Sequence, residues 1–199
     1  MPAKTLLEIA GATATPARLG NAAVVVIDAQ QEYVDGRLAL PDIAPALDEI
    51  GHLLARARAS MVPIIHIVHH GNPGGLFDPE SPAAEIASPA TPAPGEPVVG
   101  KRLPNAFAST DLAARLAALK RPEIVLVGFM THMCVEATAR AAIDNGLKAT
   151  VVASATATRD LPDPLTGQVV AAAEVQRNAL AALADRFATI VPNTDAIRD

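Results

Sequence analysis

Short, continuously apolar runs alternate along the chain with longer stretches in which apolar residues recur every three or four positions. The first run, "NAAVVVIDAQ" over 21–30, ends in polar residues. An unalternated run of this length reads as a strand buried on both faces, with Asp28 at its C-terminal end. In "PDIAPALDEIGHLLARARAS" (41–60), Ile43, Leu47, Ile50 and Leu54 fall at helical spacing, and Pro41–Asp42 suit a helix start. "VPIIHIVHH" (62–70) is a second strand, and "VVGKRLPNAF" (98–107) opens with a short one. A helix is predicted over 110–120, with Ser109 or Thr110 as N-cap. "EIVLVGF" (123–129) is the clearest strand, followed by a helix over 134–145 that Asn145–Gly146 stops. "KATVVAS" (148–154) is a strand, "TGQVVAAAEVQRNALAALADRF" (166–187) a long helix, and "ATIVP" (188–192) the last strand. Residues 71–97 are rich in Pro and Gly and read as a long loop, with a short helix near Ala83–Ile86. Strands alternating with helical crossovers imply an α/β fold, a mainly parallel sheet with helices on both faces.

Composition narrows the field. Half of the residues are hydrophobic, but aromatics are scarce and Trp is absent, so alanine, valine and leucine fill the core. The 199 residues fit one domain, 1–199, with 1–20 as an N-terminal arm. The single cysteine excludes an internal disulfide. A net charge of −5 without basic runs argues against a nucleic-acid partner. No apolar stretch approaches the roughly 18 residues of a membrane span. The first 20 residues lack a signal peptide's apolar region, so a cytoplasmic protein is expected.

In open parallel sheets, ligands bind beyond the C-terminal ends of strands. Three reactive side chains fall at such ends: Asp28 after the first strand, Lys101 after the short one, and Cys134 where the helix after 123–129 begins. A thiolate is a nucleophile, and a helix N-terminus and a lysine both favour it over the thiol. A carboxylate within reach takes the thiol proton and returns it to a leaving group. Backbone N–H groups at Met130 and Cys134 are candidates for holding an oxyanion. Each residue also has a plainer role: a buried small side chain, a turn residue, a solvated lysine.

"VVVIDAQ" (24–30), "KRLPNAF" (101–107), "VGFMTHMCV" (127–135) and "ASATATRDLP" (153–162) together resemble the isochorismatase-like cysteine hydrolase family, in order, over roughly residues 20–192. The pattern from Gly128 to Val135 is its most specific part. The resemblance implies a three-layer αβα fold with a six-stranded parallel sheet of Rossmann-like topology. It implies a triad of Asp28, Lys101 and Cys134. In amidase members, the cysteine attacks a carbonyl, the aspartate is the general acid and base, and the lysine stabilises the thiolate and orients the aspartate. It further implies a cis peptide at Phe129–Met130, no cofactor, a small-molecule substrate, and a homodimer or higher homo-oligomer.

Departures from the family pattern restrict the transfer. Nicotinamidases of the family bind a metal through an Asp-x-His motif. "HIVHHGNPGG" offers His66, His69 and His70 but no Asp two residues before a His. Alternation puts His66 and His70 on one face and His69 on the other, and satisfied or solvent-facing histidines are expected, with no metal. Gln30, Tyr33, Phe77, Asn105, Phe107, Thr131 and His132 are candidates for the pocket rim, with Phe77 as a lid. Arg159 and Asp160 are candidates for a polar substrate group, or for capping a loop. The leading reading is a metal-independent cysteine hydrolase of a small amide. The alternatives are vinyl-ether hydrolysis of an isochorismate-like molecule, a non-catalytic family scaffold, and a thiol redox sensor. The sensor lacks a resolving cysteine. No G-x-G-x-x-G, P-loop or G-x-S-x-G motif supports a nucleotide-binding or serine-hydrolase reading.

Overall fold

The computed structural model describes residues 2–199. Six strands form one parallel sheet: β1 (Ala22–Ile27), β2 (Ile64–His69), β3 (Val98–Lys101), β4 (Glu123–Phe129), β5 (Lys148–Ala157) and, last in the chain, β8 (Ala188–Val191). Two short strands, β6 (Leu161–Pro162) and β7 (Val169–Val170), pair antiparallel outside it. The sheet order is β3-β2-β1-β4-β5-β8. The chain therefore winds outward from β1 in one direction, then returns to lay β4 on the other side of β1. That reversal leaves a crevice above the C-terminal ends of β1 and β4, where neighbouring connections depart to opposite sides.

Burial follows the strand pattern. All six residues of β1 are buried, as an internal strand with helices on both faces requires. Val24 and Val26 pack on one face with Leu47, Ile50, Leu53 and Leu54 of helix α2 (Ile43–Ala59). Val25 and Ile27 pack on the other with Leu112 and Leu116 of α3 (Leu112–Leu119), Ala139 and Ala142 of α4 (Glu136–Asp144), and Leu183 of α5 (Ala172–Arg186). Each such aliphatic side chain contributes about 1.5–3 kcal/mol by leaving water. The small alanines on α4 bring that helix close to the sheet. A four-residue helix, α1 (Leu6–Ile9), lies against α5, where Leu6 N–H donates to Asp185 Oδ1 at 2.8 Å. No helix among the described residues is long and apolar enough to cross a membrane.

Three elements differ from the sequence expectation. The helix predicted over 166–187 starts only at Ala172, because Thr166–Gly167 turns the chain (Gly167 φ 73°) and Val169–Val170 joins a hairpin with Leu161–Pro162. Asp160 Oδ1 accepts the Ala172 N–H at 2.7 Å and so caps the helix start. The helix predicted from 134 begins earlier: a π-helical turn spans Thr131–Val135 and runs into α4. β5 extends to Ala157, with a register shift opposite Leu126/Gly128 that accommodates extra residues. The α4 stop is as expected: Gly146 is left-handed at φ 72°, and Leu147 N–H bonds back to Ala142 O at 2.9 Å.

Candidate active site

Gly128 explains why its motif tolerates no other residue. Its φ is 113°, and a Cβ there would lie 1.9 Å from the Ile27 carbonyl oxygen. Only glycine lets β4 approach β1 this closely while turning towards the site. The following Phe129–Met130 peptide is cis. The Met130 carbonyl then accepts from both Met133 and Val135 N–H, at 3.0 and 3.2 Å, passing over Cys134. The wide turn carries the Cys134 thiol to the crevice between β1 and β4.

Asp28 leaves β1 through a left-handed backbone, φ 49°, which aspartate tolerates better than most side-chain-bearing residues. Its N–H donates to Ile67 O at 2.9 Å, and its carbonyl accepts from Gln30 N–H at 2.8 Å. His69 and Lys101 end β2 and β3 and are register partners. They continue the faces of Ile67 and Val99, so both point to the α3/α4 side, as Cys134 does.

The three residues named from the sequence converge. The Lys101 ammonium lies 2.7 Å from Asp28 Oδ2, with both side chains fully buried. It donates to Cys134 Sγ at 3.2 Å and stands 3.1 Å from His69 Nδ1. The ammonium pairs with Oδ2 at 2.7 Å, and neither buried carboxylate oxygen has a further hydrogen-bond partner among the described residues. The carboxylate thus retains acceptor capacity for an incoming proton. Carboxylate, imidazole and thiol ligand atoms lie within 4.8 Å of one another, a cluster that in isolation resembles a metal site. Here the Lys101 ammonium contacts all three, and a divalent cation would meet it at bonding distance, where Coulomb repulsion is large.

Burial controls the electrostatics. It pushes the Asp28 carboxyl above the ordinary carboxylate value, and the Lys101 charge only partly opposes this. Burial and then the Asp28 charge push the Cys134 thiol up to about 12, against the pull of Lys101. This corrects the expectation of a thiol acidified at rest by a helix N-terminus and a lysine: burial and the Asp28 charge together outweigh the lysine. The site therefore holds a thiol that resists ionisation beside a carboxyl group that binds protons more readily than usual. The His69 imidazole is pushed down to about 4 by burial and then by Lys101.

The rim candidates divide. Tyr33 and Phe77 are buried and meet edge to face at 5.1 Å; Phe77 also meets the His69 ring at 5.2 Å. Phe77 is held by its N–H to Glu32 Oε2 at 3.2 Å and by its carbonyl, which accepts from Gly71 N–H at 2.8 Å. Gln30 spends its amide on backbone: Nε2 donates to His69 O and Ala84 O, and Oε1 accepts from His69 N–H. Thr131 Oγ1 donates to Ala157 O at 3.1 Å. The His132 ring bonds Thr158 Oγ1 through Nδ1. Asn105 Oδ1 accepts from Phe107 N–H at 2.9 Å, and Phe107 packs against the α3/α4 core. Arg159 has a buried Nε without a partner, and its Nη1 donates to the Asp160 carbonyl at 3.1 Å. A groove of about 730 Å³ lined by Ala113, Ala117, Pro122 and Leu147 lies at the opposite, N-terminal edge of β4, away from every reactive group.

His66 is buried and pairs through Nε2 with Glu96 Oε2 at 2.9 Å, while its Nδ1 is buried without a partner, so the expectation of a satisfied histidine is met at one nitrogen only. His69 is different, because it belongs to the cluster that sequence reasoning assembled without it. Its position at the end of β2 was the same signal that singled out Asp28 and Lys101. Grouping it with His66 and His70 in a search for metal spacing hid that signal. Glu32, buried and holding Phe77, was also missed; an acidic residue in "QEYV" carries no local sign of burial.

The isochorismatase domain model matches residues 22–195. A crystal structure of an isochorismatase from Pseudomonas putida superposes with a TM-score of 0.93 at 39% identity, covering 98% of this chain and 100% of that one. A secreted isochorismatase effector of Verticillium dahliae is 38% identical over 93% of this chain and 95% of its own length. A streptothricin hydrolase of Streptomyces noursei is 38% identical over 88% of this chain, which spans 63% of that enzyme.

Proposed function

The chain belongs to the isochorismatase family of hydrolases, and on that premise we propose that it is a metal-independent cysteine amidase. It cleaves the C–N bond of a small amide through a thioester on Cys134. The observation that carries this reading is the fully buried Lys101 ammonium set between the Asp28 carboxylate and the Cys134 thiol.

The chemistry follows from the resting proton positions. Cys134 Sγ attacks the carbonyl carbon as its proton passes to Asp28, whose raised proton affinity suits it to hold one. Lys101 neutralises whichever of the two is anionic, so its charge serves both states. Backbone N–H groups of Met130 and Cys134 stabilise the oxyanion. Collapse of the tetrahedral intermediate expels the amine, which takes the proton from Asp28. Water then attacks the thioester and gives a proton to Asp28. The C–S bond breaks, the acid leaves, and Asp28 returns the proton to the thiolate.

The test is amine release from a panel of small amides, with intact mass recording an acyl adduct on Cys134. Turnover is expected with the wild type and abolished by Cys134→Ala. Amide turnover that survives Cys134→Ala would overturn the reading. The proposal places the protein in the cytoplasm, where a lone nucleophilic thiol stays reduced; fractionation of the producing cell tests this, since the Verticillium relative is named as secreted. A homodimer or higher assembly is part of the same proposal, supported by Leu165 and Val169, aliphatics 93% and 73% exposed on the β6–β7 hairpin segment. Sedimentation equilibrium measures it.

A further inference from the structure

The Lys101 ammonium has three hydrogens, and three groups surround it: Asp28 Oδ2 at 2.7 Å, His69 Nδ1 at 3.1 Å and Cys134 Sγ at 3.2 Å. Two of these react in the proposed mechanism. The third, His69, has no assigned part in it.

His69 is held in place from several sides. Gln30 clamps its backbone in both directions, accepting from its N–H at 2.8 Å and donating to its carbonyl at 3.1 Å. Its ring meets the Phe77 ring edge to face. Phe77 is in turn fixed through its N–H by the buried Glu32 carboxylate. The clamp therefore runs from β1 and the loop after it, through the 71–97 loop, to one imidazole. A neutral imidazole offers one acceptor nitrogen. With Nδ1 facing an ammonium, that acceptor is Nδ1, and the ring proton sits on Nε2. Burial, and then the Lys101 charge, keep the ring neutral around pH 7.

We propose that His69 is a positioning residue: as the Nε2–H tautomer it accepts the third hydrogen of the Lys101 ammonium and so holds that charge between Asp28 and Cys134. The proposal rests on the triad of the amidase reading. Its physical basis is that a side chain on β3 must act across two strand spacings, at the end of a flexible four-carbon stem. Without a third acceptor, the ammonium is free to turn from the sulfur or to give its proton to Asp28. Either change removes the thiolate's counter-charge.

Alkylation of Cys134 by iodoacetamide, followed by intact mass from pH 6 to pH 10, reads this charge with no substrate present. His69→Phe keeps a flat ring and removes the acceptor. It is expected to slow alkylation at pH 8 at least about tenfold, by moving the thiol titration up by about two pH units, less the gain in nucleophilicity of a more basic thiolate. His69→Gln, whose Oε1 accepts without titrating, is expected to restore the rate to within about threefold of wild type. Thermal melts accompany each variant. If His69→Phe does not fold, His69→Asn, too short to reach Lys101, replaces it with the same expectation. A wild-type profile in the variant lacking the acceptor overturns the proposal. So does a His69→Gln protein as slow as that variant, which would show that packing matters and acceptance does not. Failure of the amide panel with these alkylation results intact counts against the amidase reading and leaves His69 in place.

Discussion

Asp28→Asn is expected to make Cys134 more reactive towards an alkylating agent while abolishing turnover. Burial and then the Asp28 charge are what raise the thiol to about 12. The carboxylate and sulfur lie within 4.8 Å. At that distance and an effective dielectric of about 20, their repulsion is about 3.5 kcal/mol, or about 2.5 pH units in the thiol titration. Removing it brings the thiol to roughly 9.5, which raises the thiolate fraction at pH 7.5 about 300-fold. A less basic thiolate is a weaker nucleophile, with a Brønsted slope of about 0.4–0.5, so the net gain in alkylation rate is about 20- to 30-fold. The assay is iodoacetamide labelling at pH 7.5 read by intact mass, paired with amide turnover by the same preparation. Turnover is lost because no group remains to carry the proton to the amine. Alkylation that is unchanged or slower in Asp28→Asn refutes the reasoning. It would mean that Asp28 already holds the thiol's proton in the resting enzyme, so that the carboxylate creates the thiolate instead of opposing it.

Other outcomes follow from the same structure. Gly128→Ala places a Cβ 1.9 Å from the Ile27 carbonyl oxygen at φ 113°; backbone strain alone costs about 1–3 kcal/mol, and parting β1 from β4 adds to it, so thermal melts should show a large loss or no fold. Gly20→Ala, where nothing lies within 4 Å of the new Cβ, should melt close to wild type. Burial pushes Glu96 up, but Arg58, Ala93 N–H and His66 outweigh it and hold the carboxyl at about 2, against 4.5 as the reference value. A folded value below the unfolded one gives stability that is present above about pH 4.5 and lost as pH falls towards 2, about 1 kcal/mol once solvent screening of this part-exposed carboxylate is allowed for. Urea melts should therefore show a Glu96→Gln deficit at pH 6 that shrinks steadily below pH 4; a constant deficit would contradict this. Leu53→Ala, at a fully buried position of α2 facing the sheet, should cost about 2.7–5 kcal/mol in the same urea assay.

How much of this could be read before folding depends on the range over which each signal acts. Local pattern was enough for β1, whose unbroken "AAVVVI" needs helices on both faces, and for α2, whose Leu47, Ile50 and Leu54 spacing marks its buried side. It was enough to put Asp28, Lys101 and Cys134 at strand ends or helix starts, and the motif around Gly128 was legible because a close backbone approach admits one residue. Hydrophobic period fails where a turn interrupts it. Val169 and Val170 continue a helical pattern by spacing, yet the Thr166–Gly167 turn commits them to a hairpin.

Local pattern therefore settled the alternation of strands and helices and the burial of the sheet, because these depend on residues within one or two turns of each other, whereas the candidate triad, spread over residues 28 to 134, rests on strand-end placement and the family resemblance. Tertiary packing alone set β2 between β1 and β3, which places His69 against the Lys101 ammonium. Only it decided that Glu32 is buried and holds Phe77 over that imidazole. It also decided the sign of the thiol shift. A nearby lysine is visible in the chain, but the loss of water around Cys134 comes from several elements closing together, and that loss outweighs the lysine.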